Sequence, residues 1–287
     1  MNSCPNCHHA ISRQFTFPEG NINICDFCCL QWGSVDKSHC GGFITSTNEH
    51  YLNPSSLKET SQYAPYLDFF SVLDDKLGKR SLRILDIGCG GGGFVKTCLE
   101  FGHDAWGVEA NVDLARYMPE TTRSRVHFGL AEEFYCQGDP FDVITFWDSF
   151  EHMEKAFDLL ERLKCYLKPG GLVYLRVNNN WDIFNILTLM VLRIAPGIGK
   201  RLLKACFNFP VHCWNFSRKA MCDMLEGRGW STIIVHIGET PASRLSSSLC
   251  FRLVIRVAYL VNTMLGGGKI GNYYVKPAKQ NELIMPN

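Results

Sequence analysis

The chain has 287 residues, of which 46% are hydrophobic and 20% charged, with a formal net charge of +1. That length buries a full α/β core and leaves room for one small appendage, which excludes a disordered or fibrous chain. The 14 cysteines, an N-terminus unlike a signal peptide and the lack of a charge-free apolar run of about eighteen residues exclude a disulfide-stapled or membrane-spanning protein and predict a cytoplasmic one.

The near-neutral total conceals two unlike halves. Residues 1–182 carry 16 Lys and Arg against 24 Asp and Glu, a net −8, whereas residues 183–281 carry 13 against 3, a net +10. Such a separation predicts an acidic partner for the C-terminal half: a phosphorylated small molecule, an anionic membrane surface or nucleic acid.

At the N-terminus, Cys4-Pro5-Asn6-Cys7 and Cys25-Asp26-Phe27-Cys28 are two C-x2-C knuckles separated by seventeen residues. Two tight turns at this spacing place four thiolates around one tetrahedral ion, and zinc suits four soft ligands with no redox duty. A closed site of this kind is structural, since no position stays open for catalysis. His8, His9, Cys29, His39 and Cys40 are competing ligands nearby, and the regular set Cys4, Cys7, Cys25 and Cys28 is preferred. Residues 1–50 hold Arg13 and Lys37 against Glu19, Asp26, Asp36 and Glu49, so this zinc-ribbon-like module is a poor phosphate binder. Residues 51–80 read as a helical lead-in to a core at 81–182, followed by a cap, a late helix and two last strands at 183–287.

From Leu82, short apolar strands near 82–88, 104–109, 126–130, 142–147 and 171–177 alternate with amphipathic helices, the pattern of a parallel sheet covered on both faces. In the run Leu85-Asp86-Ile87-Gly88-Cys89-Gly90-Gly91-Gly92-Gly93-Phe94 the first strand breaks into five glycines where a helix begins. Glycine permits the positive φ of a tight turn and lets a ligand reach the backbone N–H groups directly. Twenty-one residues after Gly88, Glu109 closes the second strand, the position from which a carboxylate holds ribose hydroxyls. The pair predicts a nucleoside-containing cofactor. Positions 88, 90 and 93 also satisfy the dinucleotide fingerprint, so a nicotinamide oxidoreductase is a rival at this point.

Beyond the fourth strand, Asp148, Glu151 and His152 fall at i, i+3 and i+4 and share one face if the turn is helical. His152 is the candidate general base. Ala156 to Leu167 has helical spacing, and Lys168-Pro169-Gly170-Gly171 reads as a turn before the fifth strand. Residues 183–222 then contain six bases and no acid, interleaved with the apolar run Ile183 to Ile194; Ser247 to Leu265 is a second apolar helix, carrying Arg252 and Arg256. Both segments suit a membrane surface or a cap over an apolar, anionic substrate.

Leu85–Phe94, Gly107-Val108-Glu109, Phe141-Asp142-Val143-Ile144, Asp148-Ser149-Phe150-Glu151-His152 and Leu167–Gly171 together resemble the class I S-adenosylmethionine-dependent methyltransferases, nearest to the ubiquinone-type O-methyltransferases and related sugar methyltransferases. The resemblance covers residues 60–240 and includes His212-Cys213-Trp214-Asn215-Phe216-Ser217, similar to a late His-x-x-x-Phe-Ser element. It implies a Rossmann-like, mostly parallel seven-stranded sheet with helices on both faces, its last strands at Thr232–Gly238 and Asn272–Lys279. Asp86, Gly88, Cys89, Gly90 and Gly92 would then line the methionine end of the donor, Glu109 the ribose, and Ala110, Asn111, Ala131 and Glu132 the adenine. The acidic residue common just before Ala131 is replaced by Gly129-Leu130. Trp147 and Asp148 would pack against the cofactor, and Asp148, Glu151 and His152 match positions that in the ubiquinone branch serve a divalent ion. The expected activity is methyl transfer to oxygen or carbon of a small metabolite; the rivals are an RNA base methyltransferase and a non-enzymatic cofactor-binding scaffold.

Overall fold

The computed structural model describes residues 3–35, 63–78, 80–136, 138–240 and 249–278. In chain order the elements are β1 (Arg13–Phe17), β2 (Gly20–Ile24), β3 (Gln31–Val35), α1 (Tyr63–Leu77), β4 (Arg83–Ile87), α2 (Gly93–Glu100), β5 (Asp104–Glu109), α3 (Glu120–Arg123), β6 (Val126–Phe128), β7 (Phe141–Trp147), α4 (Ala156–Leu163), β8 (Leu167–Asn178), α5 (Ile183–Ile194), α6 (Pro196–Phe207), β9 (Trp214–Asn215), α7 (Arg218–Glu226), β10 (Trp230–Gly238), α8 (Leu249–Met264) and β11 (Ile270–Pro277). They form a seven-stranded sheet of order β10-β11-β8-β7-β4-β5-β6 and a four-stranded sheet of order β1-β2-β3-β9.

The chain divides into two compact units. One comprises residues 42–147 and 157–174. Its strands β4, β5, β6 and β7 pair in parallel, and every residue of β7 is buried, which is why that strand reads as a largely apolar run interrupted by Asp142 and Thr145. Strand order reverses at β4, between β5 and β7, the place where sheets of this class leave a crevice beyond their C-terminal ends.

The other unit comprises residues 1–41, 148–156 and 175–287. Within it β10 and β11 pair antiparallel, as expected for the last strands. The small sheet packs Ile22 and Ile24 of β2 against Leu192 of α5, Leu203 and Phe207 of α6, and Phe209. This shared core compensates for a ribbon too short to build its own. Helix α5 is capped by Asp182, whose carboxylate accepts the Phe184 and Asn185 N–H groups, and α7 by Ser217.

The expected turn at Lys168–Gly171 lies inside β8 instead. Gly170 takes the left-handed φ of 80 there, and a Cβ on Gly171 would stand 3.0 Å from the Asp142 and Lys168 carbonyls, so Gly170 serves the backbone conformation and Gly171 the close backbone approach. The expected helix from Ala156 ends at Leu163, and its last turn tightens to a 3₁₀ turn over Lys164–Tyr166.

Candidate active site

At the end of β4 the chain turns by donating the Gly88 and Cys89 N–H groups to the Val108 carbonyl of β5, at 2.8 and 3.1 Å. Gly88, Gly90 and Gly92 adopt φ of 74, 55 and 73, conformations that side chains rarely tolerate. Gly92 starts α2, and a Cβ there would lie 2.6 Å from Thr122 Cγ2. Gly107 has an equally strict reason: a Cβ on it would lie 2.6 Å from Cys89 Sγ.

Glu109, at the end of β5, holds the rim of this turn. Its Oε2 accepts the Gly90 N–H and its Oε1 the Asn111 N–H, each at 2.8 Å. Each oxygen keeps a second lone pair for a hydroxyl donor. Asn111 caps the 3₁₀ turn Val112–Tyr117 by accepting the Asp113 N–H, and Ala110 links the two. Asp86 is buried beside Thr145, whose hydroxyl donates to Oδ1 at 2.8 Å; burial pushes its carboxyl up to about 8. The Cys89 thiol is also pushed well up by burial, which leaves it an unreactive wall.

Ala131 is buried and its carbonyl accepts from Arg162, whereas the Glu132 side chain is exposed. Trp147 closes β7 within an aromatic cluster, with ring centroids 4.7 Å from Tyr66, 5.0 Å from Phe94 and 4.7 Å from Tyr174.

After β7, Asp148 takes φ 52. Its N–H donates to the Arg176 carbonyl at 3.1 Å, and its Oδ1 lies 3.2 Å from Arg176 Nε. The following turn, Phe150–His152, is 3₁₀. Ligand atoms of Glu151, His152 and His212 lie within 4.8 Å of one another, and the two imidazoles meet edge to face at 4.6 Å. His152 Nδ1 is 3.1 Å from the Val211 carbonyl, the contact of a ring that donates from Nδ1 and keeps the Nε2 lone pair. Burial pushes His152 down and Glu151 up, so the imidazole is neutral near pH 7. His212 Nδ1 faces the Asn178 amide at 2.8 Å, and Nε2 the Asn208 amide at 3.2 Å.

The four knuckle cysteines also converge, with all four Sγ atoms within 4.8 Å. Cys4 and Cys28 are 3.5 Å apart, as are Cys7 and Cys25. The two knuckles repeat one another: the residue after each second cysteine, His8 and Cys29, takes φ of 59 and 58. His8, His9 and Cys29 are exposed and outside the group; His39 and Cys40 lie outside the described residues.

A family model described as a methyltransferase domain matches residues 57–235. The chain belongs to the class I S-adenosylmethionine-dependent methyltransferases. Among the curated relatives of this methyltransferase, the ubiquinone biosynthesis O-methyltransferase of Cereibacter sphaeroides is 33% identical over 192 residues, which is 63% of this chain and 75% of the relative. That of Roseobacter denitrificans is 34% identical over 129 residues, or 43% of this chain and 51% of the relative. A crystal structure of an S-adenosylmethionine-dependent methyltransferase from Archaeoglobus fulgidus shares the fold, with a TM-score of 0.51 and 20% identity over 77% of this chain and 96% of that one.

In this methyltransferase the structure brings together Glu109 and the glycine turn, Glu151 and His152, and the four knuckle cysteines. Asp148 pairs with Arg176, and its charge also acts on Glu151 and His152. His212 joins Glu151 and His152, and the sequence carried only an indirect signal for it, the late His-x-x-x-Phe-Ser element.

Proposed function

We propose that this methyltransferase moves a methyl group from S-adenosylmethionine to an oxygen or carbon of a small, anionic or lipid- or sugar-linked metabolite. The observation that carries the donor half is Glu109 bridging two backbone amides beside three left-handed glycines. In this reading the bare backbone at Gly88, Cys89, Gly90 and Gly92, with Asp86 behind it, takes the methionine end, and Glu109 takes the ribose diol. Ala110, Asn111, Ala131 and Glu132 border the adenine; Trp147 and Asp148 fix the end of β7. The division expected from the sequence, with 1–50 a structural module, 51–80 a lead-in, 81–182 for the donor and 183–287 for the acceptor, is part of the proposal.

Methyl transfer from a sulfonium is an in-line displacement, so the chain has mainly to align the acceptor and remove its proton. His152 is the base: burial keeps it neutral, and the Val211 carbonyl orients it through Nδ1. Methyl transfer from labelled donor to a panel of phenols and sugar nucleotides tests this. His152→Ala is expected to lower kcat by about 10²–10⁴ while donor affinity holds. Unchanged turnover removes His152 from this role, and a wild-type protein that binds donor but methylates nothing is the cofactor-binding scaffold.

One observation favours a divalent ion in the same place. Glu151 Oε2 is buried with no hydrogen-bond partner among the described residues, next to two imidazoles. Glu151, His152 and His212 would hold the ion, whose charge acidifies a bound hydroxyl. Calorimetric titration with Mg²⁺, Mn²⁺ and Zn²⁺ against wild type and His212→Ala decides between the readings.

For the four thiols we propose one structural zinc. Burial pushes the Cys28 thiol up, so four thiolates require a compensating cation. One equivalent of zinc is expected in the purified protein and none after Cys25→Ser with Cys28→Ser.

No helix among the described residues is long and apolar enough to cross a membrane. We further propose a cytoplasmic enzyme that docks on anionic membranes. Leu187, Met190 and Ile194 of α5 and Leu253, Val257 and Leu260 of α8 are exposed at helical spacing, with Arg193, Arg201 and Arg256 also exposed.

A further inference from the structure

Cys213, the neighbour of His212, is hydrogen-bonded on both sides. Its N–H donates to the Glu151 carbonyl and its carbonyl accepts the Gly33 N–H, each at 2.8 Å. On the side of the small sheet, β3 and β9 pair Trp32 with Trp214 and Gln31 with Asn215. On the other side, Trp214 Nε1 donates to the Met153 carbonyl at 2.8 Å, and His152 Nδ1 faces the Val211 carbonyl. Residues 211–215 are thus a strip with the four-cysteine sheet along one edge and the Glu151–Met153 turn along the other.

The second knuckle is tied to the same strip. The Cys28 carbonyl accepts from Ser217 Oγ at 3.0 Å, and the Cys29 carbonyl from Asn180 Nδ2 at 2.6 Å. Asn180 Nδ2 reaches the Asn215 carbonyl as well, at 3.0 Å, and the Asn180 carbonyl accepts from Asn185. Gln31 completes the circuit, donating to Asn185 Oδ1 and accepting from Asn215 Nδ2. All four amide side chains are buried. A buried polar network in which each member satisfies the next holds one geometry, and losing a member leaves the others unpaired.

We propose that the four-cysteine module positions the acceptor-side cluster. The metal it holds locks the Cys28-Cys29 turn, and that turn, through Ser217, the buried amides and Cys213, sets His212 against His152 and Glu151. The proposal rests on the zinc and methyltransferase readings above. The apolar core of Ile22, Ile24, Leu203 and Phe209 keeps the small sheet docked without metal, so the consequence of metal loss is local: the knuckle end and residues 213–217 loosen. The parts of the chain that carry the glycine turn and Glu109 belong to the other compact unit.

The test uses the full chain, isotopically labelled. Imidazole signals of His152 and His212 and hydrogen exchange at Cys213 and Gly33 are recorded by NMR, and affinity for S-adenosylhomocysteine is measured in parallel. Zinc removal by chelation is expected to move both imidazole signals and to speed exchange at Cys213 by about fivefold for each hydrogen bond lost, with S-adenosylhomocysteine affinity unchanged. Ser217→Ala, which leaves every thiol in place, is expected to retain zinc and reproduce part of both changes, and Ser217→Thr, which restores a hydroxyl, to reverse them. Unmoved imidazole signals with unchanged Cys213 exchange in the zinc-free chain or in Ser217→Ala overturn the proposal. S-adenosylhomocysteine affinity falling in step with zinc also overturns it, because the module would then support the whole chain. Wild type that binds no S-adenosylhomocysteine contradicts the methyltransferase reading instead, and the NMR measurements still decide the coupling.

Discussion

Glu109 holds Gly90 through a 2.8 Å hydrogen bond from the glycine N–H to Oε2, so the carboxylate is fixed to the turn it serves before any ligand arrives. Such preorganisation lowers the ordering cost of binding. Glu109→Ala is expected to speed amide exchange at Gly90 and Asn111, whereas Glu109→Gln, with one acceptor oxygen, slows only part of that gain. Equal exchange in wild type and Glu109→Ala would show that the carboxylate does not brace the turn.

Asp86 supplies a pH signature. Burial raises its carboxyl from 3.8 to about 8, so its contribution to stability is complete below pH 3.8 and is lost as pH rises through 8. Asp86→Asn removes that titration. Urea unfolding is therefore expected to show the variant gaining on wild type steadily as pH rises between those limits; a constant difference contradicts a neutral buried Asp86.

The contact between Gly107 and Cys89 is tight enough for a double-mutant cycle. Gly107→Ala places a Cβ against the Cys89 thiol and is expected to cost about 1–3 kcal/mol by overpacking. Cys89→Ala in the same chain should recover part of it, because the two changes share one space. Additive costs in denaturant unfolding would refute the clash.

Membrane docking predicts salt-sensitive cosedimentation with phosphatidylglycerol vesicles and little with phosphatidylcholine. Leu253→Glu with Leu260→Glu should abolish it. If those changes instead dissolve a dimer, the exposed face belongs to a second copy of the chain.

Much of the central sheet was legible because its strands are buried on both faces and leave largely apolar runs, as in Phe141–Trp147, broken only by Asp142 and Thr145. The glycine turn and Glu109 were legible for a different reason: positive φ at Gly88, Gly90 and Gly92 favours glycine, and the spacing to Glu109 measures one strand-helix-strand unit. The knuckles were readable from thiol spacing alone. Pairing of β9 with β3 joins Trp214 to Trp32, and a two-residue strand with so distant a partner leaves no local periodicity. The late His-x-x-x-Phe-Ser element marked His212 but not its meeting with His152, which joins residues sixty positions apart. Asn180, Asn185, Asn215 and Gln31 carry no sequence pattern that joins them, and only the fold turns them into a buried circuit. Lys168–Gly171 misled because Pro and Gly mark turns in most contexts, whereas here Gly170 supplies a left-handed φ inside β8 and Gly171 a close approach to the Asp142 carbonyl of β7.

Calorimetric titration of S-adenosylmethionine into wild type and Glu109→Ala tests the central claim most directly. Wild type is expected to bind one equivalent, and the variant to bind more weakly by about 1.5–3 kcal/mol, the cost of hydrogen bonds to a charged group. Wild type that ignores S-adenosylmethionine, or a variant that binds it equally well, would contradict the account.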